Sequence, residues 1–111
     1  MSSRTLAVLA TASLAGAALL PTTASGGARL ARSRTVLLRD STFVPGNVTI
    51  NRGDSVTWVW RDGGILHNVI AHSFRSHTKT RGSFTHRFTH SGTFKYRCTV
   101  HPLMVGKVVV R

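Results

Sequence analysis

The sequence predicts an all-β domain, an antiparallel β-sandwich or barrel, and three observations predict it. Beyond residue 34, apolar residues come in short runs, several of them alternating with polar residues. That period of two returns side chains to one face of an extended chain. The runs are separated by clusters of Gly, Pro, Asn, Asp and Ser, which turn the chain. No window of helical length, about 11 residues, holds a 3.6-residue period beyond residue 24.

Taken in order, Thr35-Val36-Leu37-Leu38 is the first strand, ended by Arg39-Asp40-Ser41. Val48-Thr49-Ile50 follows Pro45-Gly46-Asn47, and Asn51-Arg52-Gly53-Asp54 makes a tight turn. Ser55 to Trp60 alternates, with Val56, Trp58 and Trp60 on one face. Asn68-Val69-Ile70 is a further short strand. Residues 83–89 alternate again, placing Phe84, His86 and Phe88 together. In residues 93–98, Phe94, Tyr96 and Cys98 share one face while Lys95 and Arg97 take the other. Lys107-Val108-Val109-Val110-Arg111 closes the chain. Residues 71–82 are polar, basic and long for a hairpin loop, and no internal repeat is visible.

The first 24 residues read as a segment outside the fold. Arg4 is followed by an Ala- and Leu-rich apolar run, then Pro21, then Thr22-Thr23-Ala24 with small residues where a signal peptidase cuts. The run is short for a bilayer span, which takes about 20 apolar residues. The expected organisation is a signal peptide over residues 1–24, a flexible leader over 25–34 and one domain over 35–111, exported to the periplasm, cell surface or medium.

At 111 residues the chain holds one small domain. Only three residues are acidic (Asp40, Asp54 and Asp62) against 15 Lys and Arg, a net charge of +12. Chemistry on paired carboxylates is excluded. A single cysteine, Cys98, excludes an internal disulfide, a four-cysteine zinc site and an iron–sulfur cluster. An exported domain of this size with no disulfide gains from another staple, and a bound metal supplies one.

Cys98 ends a strand on its apolar face, and His101 and Met104 follow at intervals of three, with Pro102 between them. Pro102 and the β-branched pair Thr99-Val100 favour a tight loop over a helical turn, and a loop can fold three side chains onto one point. Upstream, His67 follows the Gly63-Gly64 turn. Taken singly, a buried Cys, a stray His and a core Met are each ordinary. Together, one thiolate, two imidazoles and one thioether make a copper set: soft sulfur selects copper, and a weak axial Met completes a trigonal His2Cys site. Structural zinc does not use thioether.

The chain resembles the small blue copper proteins, the cupredoxins, over residues 35–111. The resemblance rests on Phe43-x-Pro45, Asn51-x-Gly53-Asp54-x-Val56-x-Trp58, His67-Asn68-Val69, Gly82-Ser83-Phe84, Gly92-Thr93-Phe94-x-Tyr96-x-Cys98 and Gly106-Lys107-Val108-Val109-Val110. It implies a Greek-key β-sandwich of about seven to eight strands holding one copper ion, Cu(I) or Cu(II). His67, Cys98 and His101 would be equatorial ligands and Met104 the axial one. Asn68 would tie the His67 segment to the Cys98 loop by hydrogen bonds, with Thr99 beside it in support of the ligands. The implied activity is a one-electron shuttle, with His101, Pro102 and Leu103 as the electron port.

An enzyme is not expected. The blue-copper cysteine of multicopper oxidases is flanked by histidines leading to a second copper, whereas Cys98 is flanked by Arg97 and Thr99. The rival function is copper scavenging, storage or delivery, though carriers that hand copper on show open Met-rich or His-rich sites. His72, His77, His86 and His90 are left over as solvated or core residues, or as a weaker second metal site. The spread basic charge predicts a redox partner with an acidic docking surface, or an anionic membrane or wall polymer. Nucleic acid is not expected, since no aromatic-basic motif occurs. The expected state is a monomer.

Overall fold

The computed structural model describes residues 29–111, so the candidate signal peptide and the first part of the leader lie outside the described residues. Residues 31–111 form one compact unit. Among the described residues eight strands run β1 (Ser33–Arg39), β2 (Thr42–Val44), β3 (Asn47–Ile50), β4 (Ser55–Trp60), β5 (Ile70–Ala71), β6 (Gly82–Arg87), β7 (Gly92–Arg97) and β8 (Val105–Val110). They make two four-stranded sheets, β2-β1-β4-β6 and β3-β8-β7-β5. The expected β-sandwich is present, and the described residues include no helix.

The sheets are mixed rather than wholly antiparallel. β1 runs parallel to β4, with Ser33 opposite Ser55, and β3 runs parallel to β8, with Asn47 opposite Lys107. Alternation within a strand reports which residues face inward. It carries no information on the direction of a partner many residues away, so the parallel pairs were invisible in the sequence.

β2 was also missed, because only Phe43 of its three residues is buried. It pairs with β1 through a two-residue turn, Asp40-Ser41, in which both φ angles are positive, 53° and 52°. Positive φ at both central positions marks the type I′ hairpin turn, whose twist matches that of the strands. Aspartate tolerates this region better than most residues.

The two inner faces meet in a core that follows the predicted alternation. β4 buries Val56, Trp58 and Trp60 while turning Ser55, Thr57 and Val59 outward. Val36 and Leu38 of β1, Val48 and Ile50 of β3, and Val108 and Val110 of β8 complete the layers. Tyr96 is the keystone on β7, lying edge-on to both Phe43 and Trp58 with ring centroids 4.8 and 5.2 Å away.

Gly106 stands opposite Tyr96 in the β7–β8 ladder, and a Cβ there would sit 2.5 Å from the Tyr96 ring carbon and hydroxyl. Phe43 and Trp58 pack edge-on against the ring and oppose its displacement. Gly106→Ala is therefore an overpacking change, expected to destabilise by about 1–3 kcal/mol. Thermal unfolding would show it as a loss of about 4–8 °C for each kcal/mol in a domain of this size. An unchanged midpoint would mean that Tyr96 is free to move.

Candidate metal centre

The alternation of β7 carries Phe94, Tyr96 and then Cys98 to the inner face, so Cys98 emerges at the strand end only 3% exposed. The chain must then return as β8, beginning at Val105. The Cys98 amide donates to the Met104 carbonyl at 2.9 Å, closing the loop at its base. At its tip, the Met104 amide donates to the His101 carbonyl at 3.2 Å, and Leu103 has φ of +76°. The Met104 amide also reaches the Pro102 carbonyl at 2.9 Å, so Pro102 and Leu103 form a tight turn in which Leu103 takes a φ that glycine normally supplies. This turn folds His101 back toward Cys98.

His67 comes from the segment that links β4 to β5. The Gly63-Gly64 turn, with φ of +58° and +93°, brings the chain back after β4. The His67 amide donates to the Lys79 carbonyl, and the Lys79 amide donates back to the His67 carbonyl, both at 3.0 Å. The Trp60 indole N–H donates to the same His67 carbonyl at 3.1 Å. Fixed on both sides, His67 is fully buried.

These elements bring three ligand atoms together. Cys98 Sγ lies 3.8 Å from His67 Nδ1 and 3.7 Å from His101 Nδ1. All three potential ligand atoms lie within 4.8 Å of one another. Nitrogen and sulfur donors at about 2.0 and 2.3 Å from one ion, with about 120° between them, sit about 3.7 Å apart. Both sulfur–nitrogen spacings therefore match those of donors sharing one ion. Met104, 2% exposed, is buried at the end of the same loop.

Asn68 and Thr99 join the two ligand-bearing segments. The Thr99 amide donates to Asn68 Oδ1 at 2.8 Å, while Asn68 Nδ2 donates to Thr99 Oγ1 at 2.7 Å and to Thr78 Oγ1 at 2.8 Å. Two of these three hydrogen bonds tie the residue after His67 to the residue after Cys98, and the third anchors Asn68 to Thr78.

One residue at the site escaped the sequence reading. Asp62 Oδ2 lies 2.7 Å from His67 Nε2. Its Oδ1 accepts from the Asp40 amide and its Oδ2 from the Ser41 amide, both at 3.0 Å. The two positive φ angles of the β1–β2 turn aim these N–H groups at one point, forming a small anion nest. The carboxylate so held accepts a hydrogen bond from His67 Nε2–H, the tautomer that leaves the Nδ1 lone pair on the Cys98 side. The His67 hydrogen bond, then the Ser41 amide, hold the Asp62 carboxyl below the usual carboxylate range, with the Asp40 amide adding to them against the effect of burial. The available signal was an acidic residue five positions before His67 in a chain with only three.

The family model for copper-binding proteins of the plastocyanin/azurin family matches residues 36–111. The chain belongs to that family. Its cofactor is one copper ion, and His67, Cys98, His101 and Met104 form the candidate copper site. Among similar sequences, amicyanin of Paracoccus denitrificans is 38% identical over 66 residues, covering 52% of this chain and 50% of that protein. Chloroplastic plastocyanin of Tetradesmus obliquus is 35% identical over 85 residues, covering 62% and 58%. The chain thus spans between half and three-fifths of the length of these curated relatives. Among solved structures, an amicyanin variant in the oxidized state superposes with a TM-score of 0.66 at 30% identity, over 71% of this chain and 82% of that one. A purple cupredoxin from Nitrosopumilus maritimus gives 0.65 at 27%, over 70% and 99%.

Outside this cupredoxin site, the remaining histidines are dispersed. Among the described residues, His67, Cys98 and His101 are the only gathering of three or more His, Cys, Asp or Glu with metal-binding spacing. His86 stacks on Phe74 at 4.5 Å and meets Phe88 edge-on, and burial pushes its imidazole below the usual value. His72, His77 and His90 are exposed.

Proposed function

We propose that the protein is an exported one-electron carrier that exchanges electrons with other redox proteins through the His101 edge of its copper site. Bound copper would supply the one-electron change between Cu(I) and Cu(II); the chain supplies the rest. His67 and His101 would hold the ion through imidazole nitrogen and Cys98 through its thiolate, with the Met104 thioether as a further soft donor. The Asn68–Thr99 hydrogen bonds and the Asp62–His67 contact would hold that donor set unchanged in both oxidation states, which keeps rearrangement on electron transfer small. Export rests on the apolar run that ends at Leu20 and the small residues up to Ala24 that follow it.

The observation that carries the docking half of this reading is the loop tip. Leu103 is 97% exposed and has a positive φ, a conformation costing about 1–2 kcal/mol in a residue with a Cβ. Glycine would relieve that strain, and burial of the side chain does not repay it. Leu66, Ile65 and Val100 are exposed as well, and His101 is partly exposed. An apolar surface beside an imidazole ligand lets a partner approach closely without unpaired polar groups in between.

Titration of the protein with Cu(II), followed by visible absorption, EPR and voltammetry, tests the proposal. The expected result is an intense red-region band, a narrow copper hyperfine splitting and reversible one-electron reduction. Pale binding with ordinary hyperfine splitting, and no reversible couple, would favour copper storage or delivery instead.

A further inference from the structure

A groove of about 880 Å3 lies on the outer face of the β3-β8-β7-β5 sheet. Its charges follow from the register. Lys95 of β7 stands directly opposite Lys107 of β8, which in turn stands opposite Asn47 of β3. Two residues along β7, Arg97 stands opposite Val105 on one side and Ile70 on the other. Ile70 is also bridged to Arg75. Residues directly opposite share a sheet face, and Lys95 and Arg97 are exposed where Tyr96 and Cys98 are buried, so this face is the outward one.

Four cations are thereby gathered around one concavity, and no carboxylate lines it. Like charges directly across a ladder destabilise a sheet, yet Lys95 and Lys107 hold that relation. A concave basic surface with apolar walls also focuses its field more than a convex one does. The walls here include Ile70 and Val105 between the charges. The nearest strand neighbours of the metal loop belong to the groove: Arg97 precedes Cys98 and Val105 follows Met104.

We infer that this groove docks an acidic segment of a partner protein, its carboxylates against Lys95, Lys107, Arg97 and Arg75 and an apolar side chain against Ile70 and Val105. Arginine favours carboxylate through paired N–H donors, and the apolar strip between the charges suits a side chain from a folded protein. A plane of lipid headgroups would meet only the rim of a concave site. The inference rests on the electron-carrier reading for the partner's role, and not for the binding itself.

The test is fluorescence anisotropy of a fluorescein-labelled, glutamate-rich peptide containing leucine, titrated with the copper-loaded protein at low salt. Lys95→Gln with Lys107→Gln is expected to weaken binding about tenfold or more, equivalent to about 1.4 kcal/mol. A charge-matched control, Arg52→Gln with Arg87→Gln, is expected to change it less than about twofold, since both residues lie outside the groove. The absorption band and the thermal midpoint of the groove variant should be retained, which separates its loss of binding from damage to the copper site or the fold. Equal weakening in both variants would reduce the effect to net charge and overturn the proposal. No peptide binding would overturn it too, as would binding only to phosphatidylglycerol vesicles, which would assign the face to a membrane. Failure of the electron-carrier reading would instead show as absent redox cycling with peptide binding intact.

Discussion

Cys98→Ser is expected to abolish the red-region absorption band of the copper-loaded protein while leaving a weaker, pale Cu(II) complex. The sulfur is the one soft donor among the three atoms gathered at the site, lying 3.7–3.8 Å from both imidazole nitrogens. A serine hydroxyl is a hard, protonated donor that reaches less far, so the charge-transfer transition of a thiolate disappears with the sulfur. His67 and His101 remain and bind Cu(II) through nitrogen, which EPR would report as an ordinary, wide hyperfine splitting. The fold should survive, because the change leaves one small hydroxyl in a site 3% exposed, at a cost of about 1–3 kcal/mol. A band that persists in this variant would remove Cys98 from the ligand set.

Asp62→Asn is expected to raise the reduction potential and to weaken copper binding about 10–100-fold. The amide oxygen of asparagine can still accept the His67 Nε2 proton, so the imidazole keeps its tautomer and its Nδ1 lone pair. The negative charge is what goes. A carboxylate 2.7 Å from a ligand imidazole makes that ligand a stronger donor and favours the more highly charged Cu(II). Its removal therefore disfavours Cu(II) more than Cu(I), by about 59 mV in potential for each tenfold of differential binding. The asparagine NH2 also meets one of the two backbone N–H groups of the β1–β2 turn, which both donate to the present carboxylate. The apoprotein should therefore lose some stability as well. A potential that does not move would mean that Asp62 serves only to shape the turn.

The sequence and the structure agree where physics is local. Val56, Trp58 and Trp60 alternate in the sequence and are buried in β4 for that reason. Cys98 follows Phe94 and Tyr96 at the same period and arrives on the same inner face, and Pro102 marks the tight turn that its fixed φ favours. The type of residue at each of the four candidate ligand positions already selected copper, because donor softness is a property of side chains and needs no coordinates. Strand boundaries were less legible. Asn68 and Val69 were read as strand, but Asn68 spends its amide on Thr78 and Thr99 and only Ile70–Ala71 enters the ladder.

An all-β domain, its inward and outward faces, and a Cys-His-Met loop suited to copper are all legible in the residues alone, since each depends on residues a few positions apart. The parallel course of β1 with β4, and of β3 with β8, is visible only in the folded chain. The tertiary structure alone placed Asp62 on His67 by way of the Asp40-Ser41 turn, some twenty residues earlier in the chain, and set Lys95 against Lys107 beside Arg97 and Arg75. These are relations between segments distant in sequence: each strand's own pattern sets which face it buries, while which strands become neighbours follows from how the two sheets pack face to face.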